Sequence, residues 1–179
     1  GLGWPTISLT DAQLQEIADE AGMQLPAFCQ TVDSFLRMIG YKYRHEGSEF
    51  PQDDWPNYSN ATALLRKFIR EAALLANVQE QDLGNAVFKA LRVAGHSNGK
   101  IVTRQLCVQV AVGNDPVWTC SKCSRIHLHP SAGICTNCLE RLQAQPDSTC
   151  SEIWETNHLA KSAALVHRLP LRIHCEELT

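Results

Sequence analysis

No apolar run in these 179 residues approaches the ~18 that a membrane-crossing helix needs, so no membrane is expected among the partners. The opening residues, GLGWPTISLT, lack a charged leader and an apolar stretch behind it. A secretory signal is therefore not expected, nor an oxidising compartment. Charge of one sign is lacking too: a net charge of −3 does not describe a general polyanion binder. A phosphate-gripping loop is missing. The nearest stretch, Gly95-His-Ser-Asn-Gly99-Lys100, has one residue too few between its glycines, and Ile101 stands where Ser or Thr would hold magnesium. No nucleophile with a matching base can be picked out, and adjacent Glu176 and Glu177 would point to opposite faces of a strand. A non-enzymatic chain is expected, in the cytoplasm. It starts without Met and stops at EELT, which leads us to expect a piece of a longer protein.

Cysteine, by contrast, is plentiful and patterned. Two Cys-x-x-Cys pairs, Cys120/Cys123 and Cys135/Cys138, stand eleven residues apart in WTCSKCSRIHLHPSAGICTNCLERL. Four thiolates at this spacing suit one tetrahedral zinc, with all positions taken by protein and none left for water. One structural zinc is the expectation; iron in a rubredoxin-like site is the main competitor, and paired disulfides are the less favoured reading. Pro130 and Gly133 would turn the intervening segment between short strands. Ser124 and Leu139 occupy positions where such knuckles often carry Gly. His127 and His129 are expected as exposed ribbon positions, with phosphate contact the alternative. Cys150 is a spare thiol near the site, and Cys29, Cys107 and Cys175 are expected as small core residues.

The rest reads as helices with a little β. Thr10 and Gln13 form a capping box, Leu9 and Leu14 a staple, and Leu14, Ile17, Ala18 and Ala21 a stripe ending at Gly22. Pro26 opens a second helix with Phe28, Val32, Phe35, Leu36 and Ile39 inward. Residues 41–58 form an ordered connection burying Phe50 and Trp55. Ser59 or Asn60 would cap a third helix carrying Leu64, Leu65, Phe68, Ile69, Ala72 and Leu75. A fourth carries Leu83, Ala86, Val87, Ala90 and Leu91. Two helices, a tight break and the strand-like IVTRQLCVQVAV give the order of a winged helix. The expected fold is therefore mainly α with small β: an N-terminal helical segment (1–58), a winged-helix-like segment (59–116), a zinc ribbon (117–142), and a linker, helix and terminal strand (143–179). The last helix should run over roughly 151–167 behind a Thr149/Glu152 capping box, with Leu169, Leu171 and Ile173 alternating after it. Trp4, Trp55, Trp118 and Trp154 are expected to be largely buried.

Charge is uneven along this order. Residues 1–58 hold 3 basic and 9 acidic side chains, residues 59–125 hold 9 and 4, and residues 126–179 hold 4 and 6. The basic middle, Arg66, Lys67, Arg70, Lys89, Arg92, Lys100, Arg104, Lys122 and Arg125, is the candidate nucleic-acid surface. Contact would be to phosphates of DNA, sequence-tolerant and weak in isolation. The acidic first 58 residues are expected to face elsewhere.

VWTCSKCSRIHLHPSAGICTNC resembles the four-cysteine insert of large prokaryotic DEAD/DEAH-type superfamily 2 helicases, including those of anti-phage defence systems. IHCEELT is similar to the start of a His-x-Glu-Glu-Leu-Thr-Gly-Gln element in the same proteins. The resemblance covers about residues 60–179 and implies a zinc segment beside a motor, preceded by a winged-helix-like region. The nucleotide-binding loop, DEAD-type box and arginine-finger motif are missing here. The expected function is thus a non-catalytic accessory segment that helps hold nucleic acid and position the motor of a larger helicase. The alternative is a protein-interaction module whose ribbon docks a partner subunit.

Overall fold

The structure is a computed structural model in which residues 2–156 are described. The elements run β1 (Leu2–Thr6), α1 (Asp11–Glu20), α2 (Leu25–Tyr41), α3 (Ala63–Ala76), α4 (Glu80–Val93), β2 (Cys107–Ala111), β3 (Pro116–Thr119), β4 (Ile126–His127), β5 (Ser148–Thr149) and α5 (Cys150–Thr156). A mixed fold of helices with small antiparallel sheets and a four-cysteine cluster results. The stretch expected as the rest of the last helix, the Leu169–Ile173 alternation and Cys175 lie outside the described residues. Among the described residues no helix is long and apolar enough to cross a membrane.

α2 is the axis. Phe28, Thr31, Val32, Ser34, Phe35, Leu36, Met38 and Ile39 are all buried, far more of the circumference than one amphipathic stripe covers. A helix buried nearly all round is a core helix. It packs against α1, α3, α4, β1 and the 3-10 turn Ser131–Gly133. One hydrophobic cluster runs from Ile7 through all four long helices to Ile134 between the cysteine pairs, so the ribbon shares the helical core.

Local chemistry explains the boundaries. Thr10 Oγ1 accepts from the Gln13 amide, and the Gln13 side chain accepts from the Thr10 amide at 3.0 Å, closing the predicted capping box. Gly22, at φ 67°, follows the end of α1. α3 starts later than predicted: Tyr58–Asn60 form a 3-10 turn and Thr62 takes the N-cap, without a side-chain cap bond. Thr149 and Glu152 cap α5 reciprocally, at 2.9 and 3.4 Å.

The predicted β segment is present, but its partner comes from the other end of the chain. β1 pairs antiparallel with β2, from Leu2 opposite Ala111 to Thr6 opposite Cys107. The apolar face of this strand is turned to solvent: Val108, Val110 and the following Val112 are exposed, while Ala111 is buried. β1 is held to α2 by the Trp4 indole N–H, which donates to Asp33 at 2.9 Å. Burial raises the Asp33 carboxyl to about 6 against the opposing bonds from Thr6 and Trp4.

Trp55 and Trp118 are buried, whereas Trp4 and Trp154 are half-buried. Trp55 is covered by the Arg44 guanidinium, 3.3 Å from its ring centroid, and Arg44 Nε donates to the Gly99 carbonyl at 2.9 Å. That clamp orders the 41–58 connection. Phe50, Leu64 and Leu75 are exposed instead of buried; one Trp with one Arg fills the space the connection covers, and the α3 stripe is narrower than its apolar residues suggest.

Gly84 permits the close approach of α3's leading turn to α4. A Cβ there would overlap the ring of buried Tyr58, whose hydroxyl donates to Glu80 at 2.7 Å. Gly84→Ala gains about 1 kcal/mol of helix propensity but overpacks the core at a cost of roughly 1–3 kcal/mol or more, with a rigid ring as the obstacle. Urea unfolding is expected to show net destabilisation; a stabilised variant would contradict this packing.

Candidate metal centre

The two Cys-x-x-Cys segments fold as near copies of one another. The Ser124 amide donates to the Cys120 carbonyl at 2.8 Å and the Leu139 amide to the Cys135 carbonyl at 3.0 Å. The Cys120 amide donates to Arg125 and the Cys135 amide to Glu140, both at 2.9 Å. Ser124 and Leu139, where Gly is common, adopt the left-handed region with φ 57° and 61°. The turn is thus forced on side-chain-bearing residues, which costs on the order of 1 kcal/mol each. Four sulfurs aimed at one point are the feature that such a turn delivers.

Those sulfurs all lie within 4.8 Å of one another. Cys120 Sγ is 3.5 Å from Cys138 Sγ, and Cys123 Sγ is 3.5 Å from Cys135 Sγ. A disulfide needs about 2.05 Å, so neither pair is bonded. A tetrahedral ion with sulfur ligands at about 2.3 Å sets its sulfurs about 3.8 Å apart, and the cluster fits it. Four protein ligands close the site. As free thiols the four do not titrate alike: the Asn137 side chain is the leading cause that draws Cys123 down to about 6, and burial pushes Cys135 up to about 12. A cation binding here displaces protons, so occupancy falls as pH falls.

The ribbon around the centre is tied to α2. The Ser34 and Ser131 hydroxyls, both fully buried, bond at 2.6 Å. Gln30 Oε1 accepts from the Ala132 amide at 3.1 Å, and Arg37 Nη2 donates to the Ile126 carbonyl at 2.9 Å. Ser131, Ala132 and Gly133 all have positive φ, forming a left-handed knob that fits against α2. The predicted turn near Pro130 and Gly133 exists, as a docking element and not as a free hairpin tip.

That docking corrects the reading of the two histidines. They are buried, His127 completely, because the face of the hairpin that carries them is turned inward. His127 stands opposite Trp118 in the β3–β4 pair. His129 stacks on Trp4 with centroids 5.4 Å apart, and its Nδ1 accepts from the Ser131 amide. Burial is the first cause that lowers His127 to about 3 and His129 to about 4, and the nearby Arg37 charge adds to both. Cys150 is buried with Ala111 and Val117 and stands apart from the cluster. Cys29 and Cys107 are half-buried.

The nine predicted basic contacts do not form one free surface. Arg70 pairs with Glu80 at 2.8 Å, Lys89 with Glu20 at 2.5 Å, Lys100 with Asp54 at 2.7 Å and Lys122 with Glu140 at 3.3 Å. Glu20 and Asp54 belong to the acidic first 58 residues, so that segment faces the basic middle instead of away from it. Exposed pairs contribute little stability, but they occupy charge. Arg66, Lys67, Arg92 and Arg104 are exposed, with no ion pair among the described residues. Arg125 lies over Tyr41, 4.4 Å from the ring centroid. Composition hid two further cations here: Arg37 and Lys42 come from the acidic segment, yet line a cleft with Arg125 beside Thr136 and Asn137.

Two outcomes test the centre. Cys135→Ser is expected to lose the metal and to lower the unfolding midpoint of the helices as well, because Ile134 and Ser131 leave the shared core; an unchanged helical transition by circular dichroism would contradict it. The histidines add a pH effect. Their native pKa values lie below the ordinary value, so the unfolded chain binds more protons between about pH 6.5 and 4, and stability is present above that window and lost within it. Asp33, raised, works the opposite way between 3.8 and about 6. Two histidines outweigh one carboxyl, so stability is expected to fall by about 1–2 kcal/mol from pH 7.5 to 5.5. His127→Phe should flatten that slope. An equal slope in the variant would show that His127 does not contribute.

Comparison with protein-family models, with curated proteins and with solved structures found no match.

Proposed function

We propose that this chain is a zinc-stabilised, non-catalytic accessory module that holds nucleic acid for a larger helicase. The observation that carries the reading is the neighbourhood of the four-cysteine centre: cations without carboxylate partners gather beside a closed site. Zinc is favoured as the ion because four thiolates in a tetrahedron suit a d¹⁰ cation without redox chemistry. Iron, the other ion for such a set, would give the protein visible colour. Zinc's work here would be structural: it lets four thiolates sit together and fixes the two knuckles, while Ser131, Gln30 and Arg37 set how the ribbon is carried on the helices.

The helicase context rests on the resemblance of the cysteine segment and of IHCEELT, as do the DNA ligand, the prokaryotic cytoplasm and the anti-phage setting. α3, the short break, α4 and β2 follow the order of a winged helix, with β1 serving as the strand partner of β2. Phosphate contact would be sequence-tolerant, since few base-reading side chains sit among the free cations Arg66, Lys67, Arg92 and Arg104. A second reading has its own observation. Val108 and Val110 on β2, and Val112 just beyond it, are all exposed, which suits docking of a partner protein.

Binding to labelled DNA with rising salt separates the two. The nucleic-acid reading expects a dissociation constant on the order of 10⁻⁴–10⁻⁶ M at physiological salt that weakens linearly in log–log form. No binding at low salt, or binding indifferent to salt, would contradict it. Elemental analysis of the purified chain should return one zinc.

A further inference from the structure

We infer that the cleft between the end of α2, the first turn of α3 and the second cysteine pair holds the phosphodiester backbone of a single nucleic-acid strand, with Tyr41 as a stacking surface for a base; this rests on the nucleic-acid reading above. The cleft encloses about 90 Å³, and Arg37, Lys42 and Arg125 converge on it with Tyr41, Leu64 and Thr136. No carboxylate lines it, and none of the three cations forms an ion pair among the described residues. Three like charges held around one cleft with no carboxylate among its lining residues are costly, and an anion between them reduces that cost.

A second observation points the same way. Thr136 is only 7% exposed, yet its hydroxyl has no hydrogen-bond partner, and the buried Nε of Arg125 has none either. Buried polar groups are nearly always bonded. Here both belong to residues that line one cleft, and both can donate to an oxyanion. The start of α3 adds unclaimed donors: Thr62 makes no cap bond and the first turn holds no acid. Lys67, one turn beyond Leu64, lies on the same face.

Tyr41 decides what kind of phosphate ligand fits. Tyr41 is 66% exposed and its ring carries Arg125 over one face, an aromatic–arginine pair of the sort on which unpaired bases stack. A duplex keeps its bases stacked inside, so a single strand is the ligand that uses both features. The metal centre offers a competing use for the cations, because four thiolates around a divalent ion leave a net negative charge and Arg37 already faces Cys135. Exposed Lys42 and Tyr41 are not accounted for by that use.

The test uses the zinc-loaded chain with labelled oligothymidine and a labelled duplex at ~50 mM salt. Tyr41→Ala and Lys42→Glu should each weaken single-strand binding about tenfold, with Tyr41→Phe close to wild type and zinc retained throughout. Lys42→Glu should also reduce the salt slope by about one. Arg92→Glu with Arg104→Glu should weaken single-strand and duplex binding alike, whereas the cleft variants should weaken single-strand binding selectively. If that pair abolishes binding while Tyr41→Ala and Lys42→Glu leave it unchanged, the cleft is wrong and the nucleic-acid reading stands. If Lys42→Glu releases zinc, the cations serve the metal and the cleft is likewise wrong. If the wild-type chain binds no nucleic acid, both readings fail.

Discussion

Four cysteine sulfurs within 4.8 Å are the constraint on which the rest depends. Thiolates that close repel, and thiols that close gain little from one another, so a cation at their centre would make the arrangement favourable. The two left-handed residues that complete the knuckles, Ser124 and Leu139, are strained positions that a bound metal would hold in place. From there the effect spreads outward. Ile134 sits between the cysteine pairs and inside the main core, and Ser131 bonds to Ser34 in the middle of α2. The centre is therefore coupled to the helices through packing, and the ribbon is not an appendage on a linker.

Charge follows the same geometry. The acidic N-terminal segment wraps back so that Glu20 and Asp54 neutralise Lys89 and Lys100. Lys122, inside the first cysteine pair, is matched by Glu140, while Arg37, Lys42 and Arg125 have no carboxylate partner among the described residues. A net charge of −3 thus coexists with a local positive cleft, because folding sorts charges by position in space and not by position along the chain. Arg44 shows the opposite use of a cation: buried against Trp55 and bonded to carbonyls, it acts as a structural pin.

Much of this was legible in the residues. The ligand set, the helix stripes and the Thr10 and Thr149 capping boxes depend on short-range spacing, which a sequence displays directly. What was not legible depends on partners far along the chain. β1 could not be read from GLGWPTISLT because its strand partner lies about a hundred residues away. His127 and His129 looked like exposed ribbon positions because nothing local reveals that the hairpin lies against α2. Ser34, a polar residue among the buried apolar ones of α2, is the contact point for Ser131, a partner nearly a hundred residues away. The nine basic residues were grouped by segment, whereas the structure pairs four with acids and brings in Arg37 and Lys42.

Whether the cysteine cluster is a single all-sulfur metal site is best decided by X-ray absorption at the metal edge of the purified chain. The account predicts four sulfur scatterers at about 2.3 Å and no light-atom ligand. A shell containing nitrogen or oxygen, from His127, His129 or water, or a chain that carries no metal and shows sulfur–sulfur bonds instead, would contradict it.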